Sequence, residues 1–454
     1  MWRISSQSCH LTSSSTSSPL RTISECRWVC KSWYEFILHP RFAEIHFAKY
    51  RDSFPCAIFL SRYRTSYLID PECLSKYETT ATAYDLNLKD FRQNFTISNG
   101  WNCFDVVGTV NGLVCFSPER GDHEPAAYYI VNPITRDHVL LPKSPKVELE
   151  PLGSGFGFDS LTKEYKLVRI LRNPLIGAWI EKKYGNKKCQ VEDVNEVPMK
   201  YVNEVEIYTL GSGSWRESHL SINIPGLVIT GMKIGCVLLN GCLHWVLHVM
   251  RESDDESCRV ILSFNLAAEE FKLIDMPPSL REPKRSSRSH LIVLDDHLCI
   301  IDGDLFHDKD VWVMKVYGLH STWDKTYVFR KKVFSALWHG CHEVMELKNN
   351  DLLLLNETDN LSYYDRQKKV SNVIALHDIK RKPVKVEPDF PIYLKGSLFS
   401  PKTIELNHRA CLCFVFNELL VKIIFVMELV WSRIIYYDIL PNTQISKIPL
   451  FLLT

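Results

Sequence analysis

Short runs of alternating hydrophobic and polar residues dominate the chain from about residue 105, and tight polar turns separate them. Four pairs of apolar runs flank such turns, in the sequences TVNGLVCF, VLLNGCLHWV, LIVLDDHLCII and MELKNNDLLLL. Asn-Gly, as at Asn111-Gly112 and Asn240-Gly241, favours a type I′ turn, because both central residues of that turn need a positive φ. These four segments therefore predict β-hairpins of a first kind.

Hairpins of a second kind alternate with the first. They place an aromatic-rich strand before a polar turn, in YYIVNPITRDHVLLP, VEIYTLGSGSWRES, ILSFNLAAEEFKLIDMP, VWVMKVYGLHSTW and LSYYDRQKKVSNVI. GFGFDSLTKEYKLVRI supplies a further first-kind hairpin near residue 161, and a last pair of hairpins is predicted around Asn417 and Pro441. Four strands thus recur about every 50 residues, the repeat of a kelch-like blade. We predict a mainly β fold, a kelch-like propeller of about six four-stranded blades over residues 51–454.

A short helical segment is predicted ahead of the strands, over residues 25–50. Apolar residues recur there at helical spacing before Pro40 interrupts the pattern, at Ile23, Cys26, Val29 or Cys30, Trp33 and Ile37. Such a segment can cover the propeller core, or it can present its apolar face to another protein. The preceding residues, 1–24, hold nine Ser and three Thr and no acidic residue. We expect a disordered leader there, although the composition also resembles a transit peptide.

Charge and cysteine content narrow the class of protein. Lys plus Arg number 54 against 53 Asp plus Glu, and a net charge of +1 provides no general attraction for nucleic acid or an anionic membrane. The apolar stretch 410–431 contains four polar or charged residues that disfavour a membrane span. Fifteen scattered cysteines, several inside apolar runs, indicate buried thiols in a reducing compartment, the cytoplasm or the nucleus. We expect neither a nucleic-acid nor a membrane partner.

Two motifs have the residue types of a chemical site. GSGFG, residues 153–157, resembles a phosphate-binding loop, but it leads into a strand pattern instead of a helix N-terminus, so turn glycines account for it. In WHGCHE, residues His339, Cys341 and His342 have metal-like proximity, but no second ligand cluster has comparable spacing. The chain also has no Gly-x-Ser-x-Gly serine. We expect no cofactor, no metal and a non-catalytic protein.

The most charged segments lie between predicted strands. An insertion at 181–200 is followed by the acidic RESDDES, 251–257, and the basic REPKRSSRS, 281–289. Each segment reads either as a solvated loop or as a charged contact on one rim of the propeller. On the second reading, Lys284, Arg285 and Arg288 bind a target protein.

Several motifs carry a family resemblance. RWVCKSWYEFILHPRFAEIHF, residues 27–47, resembles the second half of a plant F-box, in which Arg-x-Val-Cys-Lys-x-Trp, an apolar pair, Pro and Phe recur. The phrases VNGLVCF, VNPITRDHVLLP, GFGFDSLTKEYKLVRI, VEIYTLGSGSWRE and LNGCLHWV resemble the plant F-box-associated domain in its own order. The resemblance covers residues from about 25 to about 400.

This resemblance implies a substrate receptor of an SCF-type ubiquitin ligase. The F-box would dock on a Skp-family adaptor held by a cullin, and the propeller would capture an unidentified target. The residues that the resemblance assigns to the adaptor interface, by contact or by support, are Val29, Cys30, Trp33, Phe36 and Ile37. Packing of Trp33 and Phe36 against the chain's own core is an equal alternative.

The chain departs from the family pattern at both ends of the resemblance. The first F-box helix normally begins with Leu-Pro and runs through an acidic, leucine-rich segment, but MWRISSQSCHLTSSSTSSPL stands there instead. We therefore expect adaptor binding to be weakened or lost, and the alternative function is a propeller interaction protein without ligase coupling. The family pattern ends near GSLFSP, 396–401, whereas this chain continues to residue 454, which we read as a further blade.

Overall fold

Strands dominate the structure, as the alternating sequence pattern predicts. The structure is a computed structural model, and it describes residues 23–24, 26–50, 55–60, 66–69, 80–85, 104–118, 128–146, 149, 151–171, 203–222, 227–232, 236–251, 257–282, 288–303, 308–318, 322–330, 344–347, 351–355, 361–377 and 391–407. All of these residues belong to one unit, Ser18–Ala410. The predicted leader up to residue 22, the insertion at 181–200 and the hairpins around Asn417 and Pro441 lie outside the described residues.

In the described part of the chain, two helices with complete bounds precede the strands: α1 spans Lys31–Ile37 and α2 spans Pro40–Tyr50. Residues 23, 24 and 26 are also helical. Pro40 interrupts the first helix as predicted, and it also starts the second one, because proline at the first helical position has no amide that needs an intrahelical acceptor. The apolar series running back to Ile23 is not one continuous helix, since residues 27–30 lie outside helical structure. Three strands follow the helices: β1 (Pro55–Leu60), β2 (Ser66–Ile69) and β3 (Thr80–Asp85).

The next strands form five sheets of consecutive strands, the five blades of a propeller. Blade 1 consists of β4 (Phe104–Val110), β5 (Leu113–Pro118), β6 (Tyr129–Asn132) and β7 (Asp137–Leu140). Blade 2 consists of β8 (Pro151–Asp159), β9 (Glu164–Leu171), β10 (Asn203–Thr209) and β11 (Trp215–Ile222). Blade 3 consists of β12 (Leu227–Met232), β13 (Val237–Leu239), β14 (Cys242–Arg251), β15 (Ser257–Asn265) and β16 (Glu270–Asp275).

A 3-10 turn, Pro278–Leu280, follows blade 3. Blade 4 consists of β17 (Arg288–Leu294), β18 (His297–Gly303), β19 (Lys309–Met314) and β20 (Trp323–Phe329). Blade 5 consists of β21 (Val344–Glu346), β22 (Leu352–Leu355), β23 (Leu361–Asp365) and β24 (Val370–Val373). The last described elements are β25 (Ala375–His377), β26 (Pro391–Lys395) and helix α3 (Pro401–Asn407).

The sixth sheet, which we call the terminal sheet, differs from the blades. Its strand order is β25-β3-β2-β1-β26, so it joins strands from before blade 1 to strands from after blade 5, and β25 pairs parallel to β3. Within the five blades, neighbouring strands pair antiparallel, and blade 3 carries a fifth strand because both β12 and β13 pair with the long β14. The structure therefore confirms a mainly β propeller with five sequential blades.

The hairpin turns form for the reason that the sequence suggests. Asn111 and Asn240 have φ values of 49° and 52°, and the glycines that follow them have φ values of 77° and 71°. Residues 295 and 296 also have positive φ. These are the conformations that a type I′ turn requires, and asparagine, aspartate and glycine adopt them at low cost. The predicted first-kind hairpins at 111–112, 240–241 and 295–296 are confirmed.

Three of the second-kind turns share a different local motif. Asn132, Asn265 and Asp365 each end a strand, and each side-chain oxygen accepts from backbone amides two and three residues later. The fourth residue after each has a positive φ and donates its amide back to the first residue at 2.8 Å. This Asx turn reverses the chain, so that the next strand pairs antiparallel with the strand before the turn.

Trp245 packs blade 3 against blade 2. Its side chain is fully buried, and its indole N–H donates to the Ser154 carbonyl at 2.9 Å. The GSGFG glycines lie within strand β8, not in the turn that the sequence predicts. Gly155 leaves room for this ring, because a Cβ there would lie 2.5 Å from Trp245 Cζ2. Similar apolar clusters join blades 3 and 4 and blades 4 and 5.

Contacts between neighbouring blades show that their hairpin turns share one face of the propeller, which we call the turn face. Lys166 Nζ, at the start of β9, lies 3.0 Å from Glu269 in the blade 3 turn. His244, near the 240–241 turn, contacts Tyr317 of blade 4 at 2.7 Å. Since strands alternate in direction, the β14–β15 and β16–β17 connections leave from the opposite face, which we call the far face.

Candidate functional site

Helices α1 and α2 pack against each other and against the chain near residue 399. The rings of Phe36 and Phe42 lie 4.6 Å apart between the two helices, and the ring of Phe47 lies 5.4 Å from that of Phe399. Phe42 and Ala43 are buried. The apolar face of α2 therefore holds the pair of helices on the propeller.

The residues before α1 dock on the second-kind turn of blade 1. Ser24 Oγ donates to the Ile134 carbonyl at 3.3 Å. The Arg27 guanidinium donates to the Thr135 carbonyl and lies 3.5 Å from a carboxylate oxygen of Asp137. The helical segment thus sits on the turn face.

The other side of this segment is exposed and aromatic. Trp28 is 70% exposed and Val29 is 69% exposed, while Tyr34 and Trp33 are 43% and 37% exposed. The rings of Trp28 and Tyr34 lie 6.1 Å apart. We call these four residues the aromatic patch. Grouped large apolar side chains at a surface commonly mark a site of protein association.

The predicted adaptor-binding residues fall into two groups in the structure. Val29, Cys30 and Trp33 are exposed, with Val29 and Cys30 in the turn before α1 and Trp33 on the helix. Phe36 is half-buried against Phe42, and Ile37 is buried at 1% exposure. In this arrangement the first group is available for contact and the second supports it from beneath. Their role at an adaptor interface stays a prediction.

Sequence reasoning missed two members of the aromatic patch, Trp28 and Tyr34. Both are next in sequence to residues of the helical apolar series, and a helical pattern places them outside the apolar face. The signal that could have identified them is the density of aromatic side chains between residues 28 and 36, more than one buried face of a seven-residue helix can hold.

Of the predicted target-binding residues, the structure describes only Arg288, at the far face. Arg288 is the first residue of β17 and pairs through its backbone with Gly303. Lys284 and Arg285 lie outside the described residues, as do His339, Cys341 and His342 of the WHGCHE motif. Arg281 and Glu282, which precede the basic segment, are exposed.

The described residues show no cluster of three or more His, Cys, Asp or Glu side chains that could hold a metal ion. Nor does any helix among them have the length and apolar character needed to cross a membrane. Cys115 and Cys299 are buried thiols, as predicted, and burial raises the pKa of Cys299 to about 12.

One buried polar group has the composition of a catalytic site. His244 Nε2 lies 2.7 Å from the Tyr317 hydroxyl and 3.3 Å from Ser263 Oγ, and Nδ1 lies 3.3 Å from the Val237 carbonyl. Burial lowers the pKa of His244 to about 4. Since the Tyr317 hydroxyl occupies the ring nitrogen that a nucleophilic serine would need, the group acts as a polar joint between blades 3 and 4.

Comparison with known proteins gives a consistent result. A family model described as F-box associated beta propeller domain matches residues 65–399. The F-box protein At3g07870 of Arabidopsis thaliana is 28% identical over 68% of this chain and 69% of its own length. The F-box protein CPR1 of Arabidopsis thaliana is 25% identical over 79% of this chain and 82% of its own length.

Among solved structures, the SapL1 lectin in complex with alpha methyl fucoside aligns with 72% of this chain and 98% of its own, at 10% identity and a TM-score of 0.37. The beta-fructofuranosidase BmSUC1 of Bombyx mori aligns with 72% of this chain and 70% of its own, at 10% identity and a TM-score of 0.35. Alignments with such low scores carry no argument about function.

Proposed function

Because the chain belongs to the F-box associated β-propeller family of plant F-box proteins, we propose that it is the substrate-recognition subunit of an SCF-type ubiquitin ligase. In this role it binds a Skp-family adaptor through residues 25–50, and the adaptor links it to a cullin. The propeller binds the target protein. The chain itself performs no catalysis and acts by bringing two proteins together.

The aromatic patch is the observation that carries this proposal. Trp28, Val29, Trp33 and Tyr34 are all exposed within seven residues of the chain, and the rings of Trp28 and Tyr34 are neighbours, although burying such side chains is favourable by ~25 cal/mol for each Å² removed from water. Aromatic residues are also enriched at the centres of protein interfaces. A partner that covers the patch would account for its exposure, and the membership of the F-box associated family supports the adaptor as that partner.

The two proposed binding regions are separated by the propeller. The helical segment contacts the turn of residues 133–136 on the turn face, whereas Arg288 begins a strand at the far face. A target that contacts Arg288, which Lys284 and Arg285 precede in the sequence, would therefore lie across the propeller from the adaptor. These cations suit an acidic surface, and rim charges act mainly on the rate of encounter.

We also infer that the terminal sheet completes the ring as a sixth, kelch-like blade. Strand β25 follows β24 of blade 5 almost directly in the chain. On the other side, the buried Asn132 amide of blade 1 donates to the carbonyls of Ser397 at 2.9 Å and Phe399 at 2.7 Å, just after β26. We place the protein in the cytoplasm or the nucleus, a location that suits its buried thiols.

Co-purification with a plant Skp-family adaptor tests the adaptor role. We expect the full chain to be retained on the tagged adaptor, and we expect Trp33→Ala to reduce retention without unfolding the protein. Leu161→Ala is the matched control, since Leu161 is an apolar residue, 80% exposed, in a propeller turn outside the helical segment. Retention that is equal for Trp33→Ala and the wild type would exclude the aromatic patch as the adaptor site.

The alternative function, a propeller interaction protein without ligase coupling, rests on the missing Leu-Pro helix pattern before residue 25. It predicts no retention of the full chain and recovery of binding when a complete F-box is grafted in front of residue 25. Retention of the ungrafted chain rejects this alternative.

Target capture tests the rim residues. We expect neutralisation of Lys284, Arg285 and Arg288 together to weaken binding of a target most strongly at low ionic strength, where charge interactions are least screened. Adaptor binding should stay unchanged. A target whose capture is insensitive both to this triple change and to deletion of residues 181–190 does not bind at this rim.

A further inference from the structure

Arg27 lies between the propeller and the aromatic patch. Its side chain is only 7% exposed, and the guanidinium donates to the Thr135 carbonyl while one nitrogen lies 3.5 Å from Asp137. On its other side, the guanidinium carbon lies 4.7 Å from the centroid of the Trp28 ring. One buried cation thus contacts both the blade 1 turn and a member of the patch.

This cation occupies a site that suits arginine alone. Burial lowers the pKa of Arg27, and the nearby Asp137 carboxylate acts in the opposite direction. A planar guanidinium can donate to a carbonyl and a carboxylate while its face stacks on an aromatic ring, whereas a lysine ammonium cannot do all three.

We propose that Arg27 is a positioning residue: by docking residues 24–28 on the blade 1 turn, it holds the aromatic patch in the orientation that the adaptor binds. This inference rests on the proposed function. Because Arg27 itself is buried, it would act through Trp28 and helix α1 and not by touching the adaptor.

The short length of α1 makes such an anchor important. Isolated helices shorter than about 12 residues are marginal in water, and α1 has only seven residues with no side-chain cap at Cys30. Its order must therefore come from packing, which Phe36 supplies from one end and Arg27 from the other. A patch that is ordered before binding loses less conformational entropy when its partner arrives.

The test uses the full chain with Arg27→Gln, Arg27→Lys and Asp137→Asn, and Arg136→Gln as the matched control. Arg136 lies in the same turn and is exposed, so it undergoes the same chemical change without a buried contact. Two quantities are measured for each: amide hydrogen exchange along the chain, and the dissociation constant for a Skp-family adaptor.

We expect Arg27→Gln to speed exchange at residues 31–47 by about tenfold or more, from the loss of charge-assisted hydrogen bonds, with strands of blades 3 and 4 unchanged. Adaptor affinity should fall by a similar factor. Arg27→Lys and Asp137→Asn should give intermediate effects, and Arg136→Gln should match the wild type.

Unchanged exchange at residues 31–47, or faster exchange throughout the blades, would overturn the positioning role. Faster exchange at 31–47 with unchanged adaptor affinity would also overturn it. Failure of the unmodified chain to bind the adaptor is a separate result, which contradicts the proposed function itself, while wild-type binding that Arg27→Gln leaves intact contradicts only this inference.

Discussion

Arg366 and Asp295 form a bidentate ion pair between blades 5 and 4, with the two guanidinium nitrogens 3.2 and 2.7 Å from the two carboxylate oxygens. The same guanidinium reaches Glu346 at 3.0 Å and the Tyr327 hydroxyl at 2.6 Å. Asp295 has a positive φ in its hairpin turn, so the ion pair joins the β17–β18 turn of blade 4 to blade 5. The pair lowers the pKa of Asp295, chiefly through the hydrogen bond from Arg366.

We predict that Arg366→Met lowers the free energy of unfolding by about 1–3 kcal/mol, because it leaves two carboxylates without their shared donor. Lys325→Met is the control, since Lys325 pairs with Asp310 at 2.7 Å on the surface of blade 4, where such pairs contribute at most about 1 kcal/mol. Urea unfolding measures both. Equal losses in the two variants would show that the joint contributes no more than a surface pair.

Acid should destabilise the fold through two buried histidines, His244 of blade 3 and His46 of helix α2. Burial lowers the pKa of both His244 and His46 to about 4 from the ordinary value of 6.5. Between these pH values the two imidazoles are protonated in the unfolded chain but not in the folded chain. The free energy of unfolding therefore falls as the pH drops from 6.5 towards 4. The full loss is about 3 kcal/mol for each histidine.

Urea unfolding between pH 7 and pH 4.5 measures this dependence. His244→Gln keeps a hydrogen-bonding side chain but cannot titrate, so we expect a shallower decline in stability than in the wild type. The same change at the partly exposed His138 serves as the control. Identical pH profiles for the wild type and His244→Gln would mean that His244 does not contribute to acid sensitivity.

The glycines of β8 should be intolerant of side chains. A Cβ at Gly155 would lie 2.5 Å from Trp245 and 2.9 Å from Cys236 Sγ, so we predict that Gly155→Ala costs about 1–3 kcal/mol by overpacking. Gly231→Ala is the control in β12, since its Cβ would have only His248 within 4 Å, at 3.9 Å. Thermal unfolding that fails to separate the two variants would contradict this account of the blade 2 and blade 3 contact.

The blade hairpins could be predicted from sequence because their signals are local. Asn111-Gly112 and Asn240-Gly241 encode positive φ directly, and the alternating strands beside them encode which face is buried. The same holds for the second-kind turns, in which one Asx side chain satisfies nearby amides.

The remaining features depend on contacts between distant residues. The terminal sheet pairs β1 with β26, more than 300 residues later, and no turn signal marks such a pairing. The β8 glycines resemble a turn in sequence because the sequence does not show which distant side chains, such as Trp245 at Gly155, pack against them. The sequence does not predict the buried contacts of Arg27, because its partners, Thr135 and Asp137, lie over 100 residues away.

A footprint of the adaptor on the full chain tests the central claim most directly. Amide hydrogen exchange is compared with and without a saturating plant Skp-family adaptor. The account predicts slower exchange at residues 28–38, which contain the aromatic patch, with unchanged exchange in the strands of blades 3 and 4. No change at residues 28–38, or protection confined to the far face around Arg281 and Arg288, would contradict it.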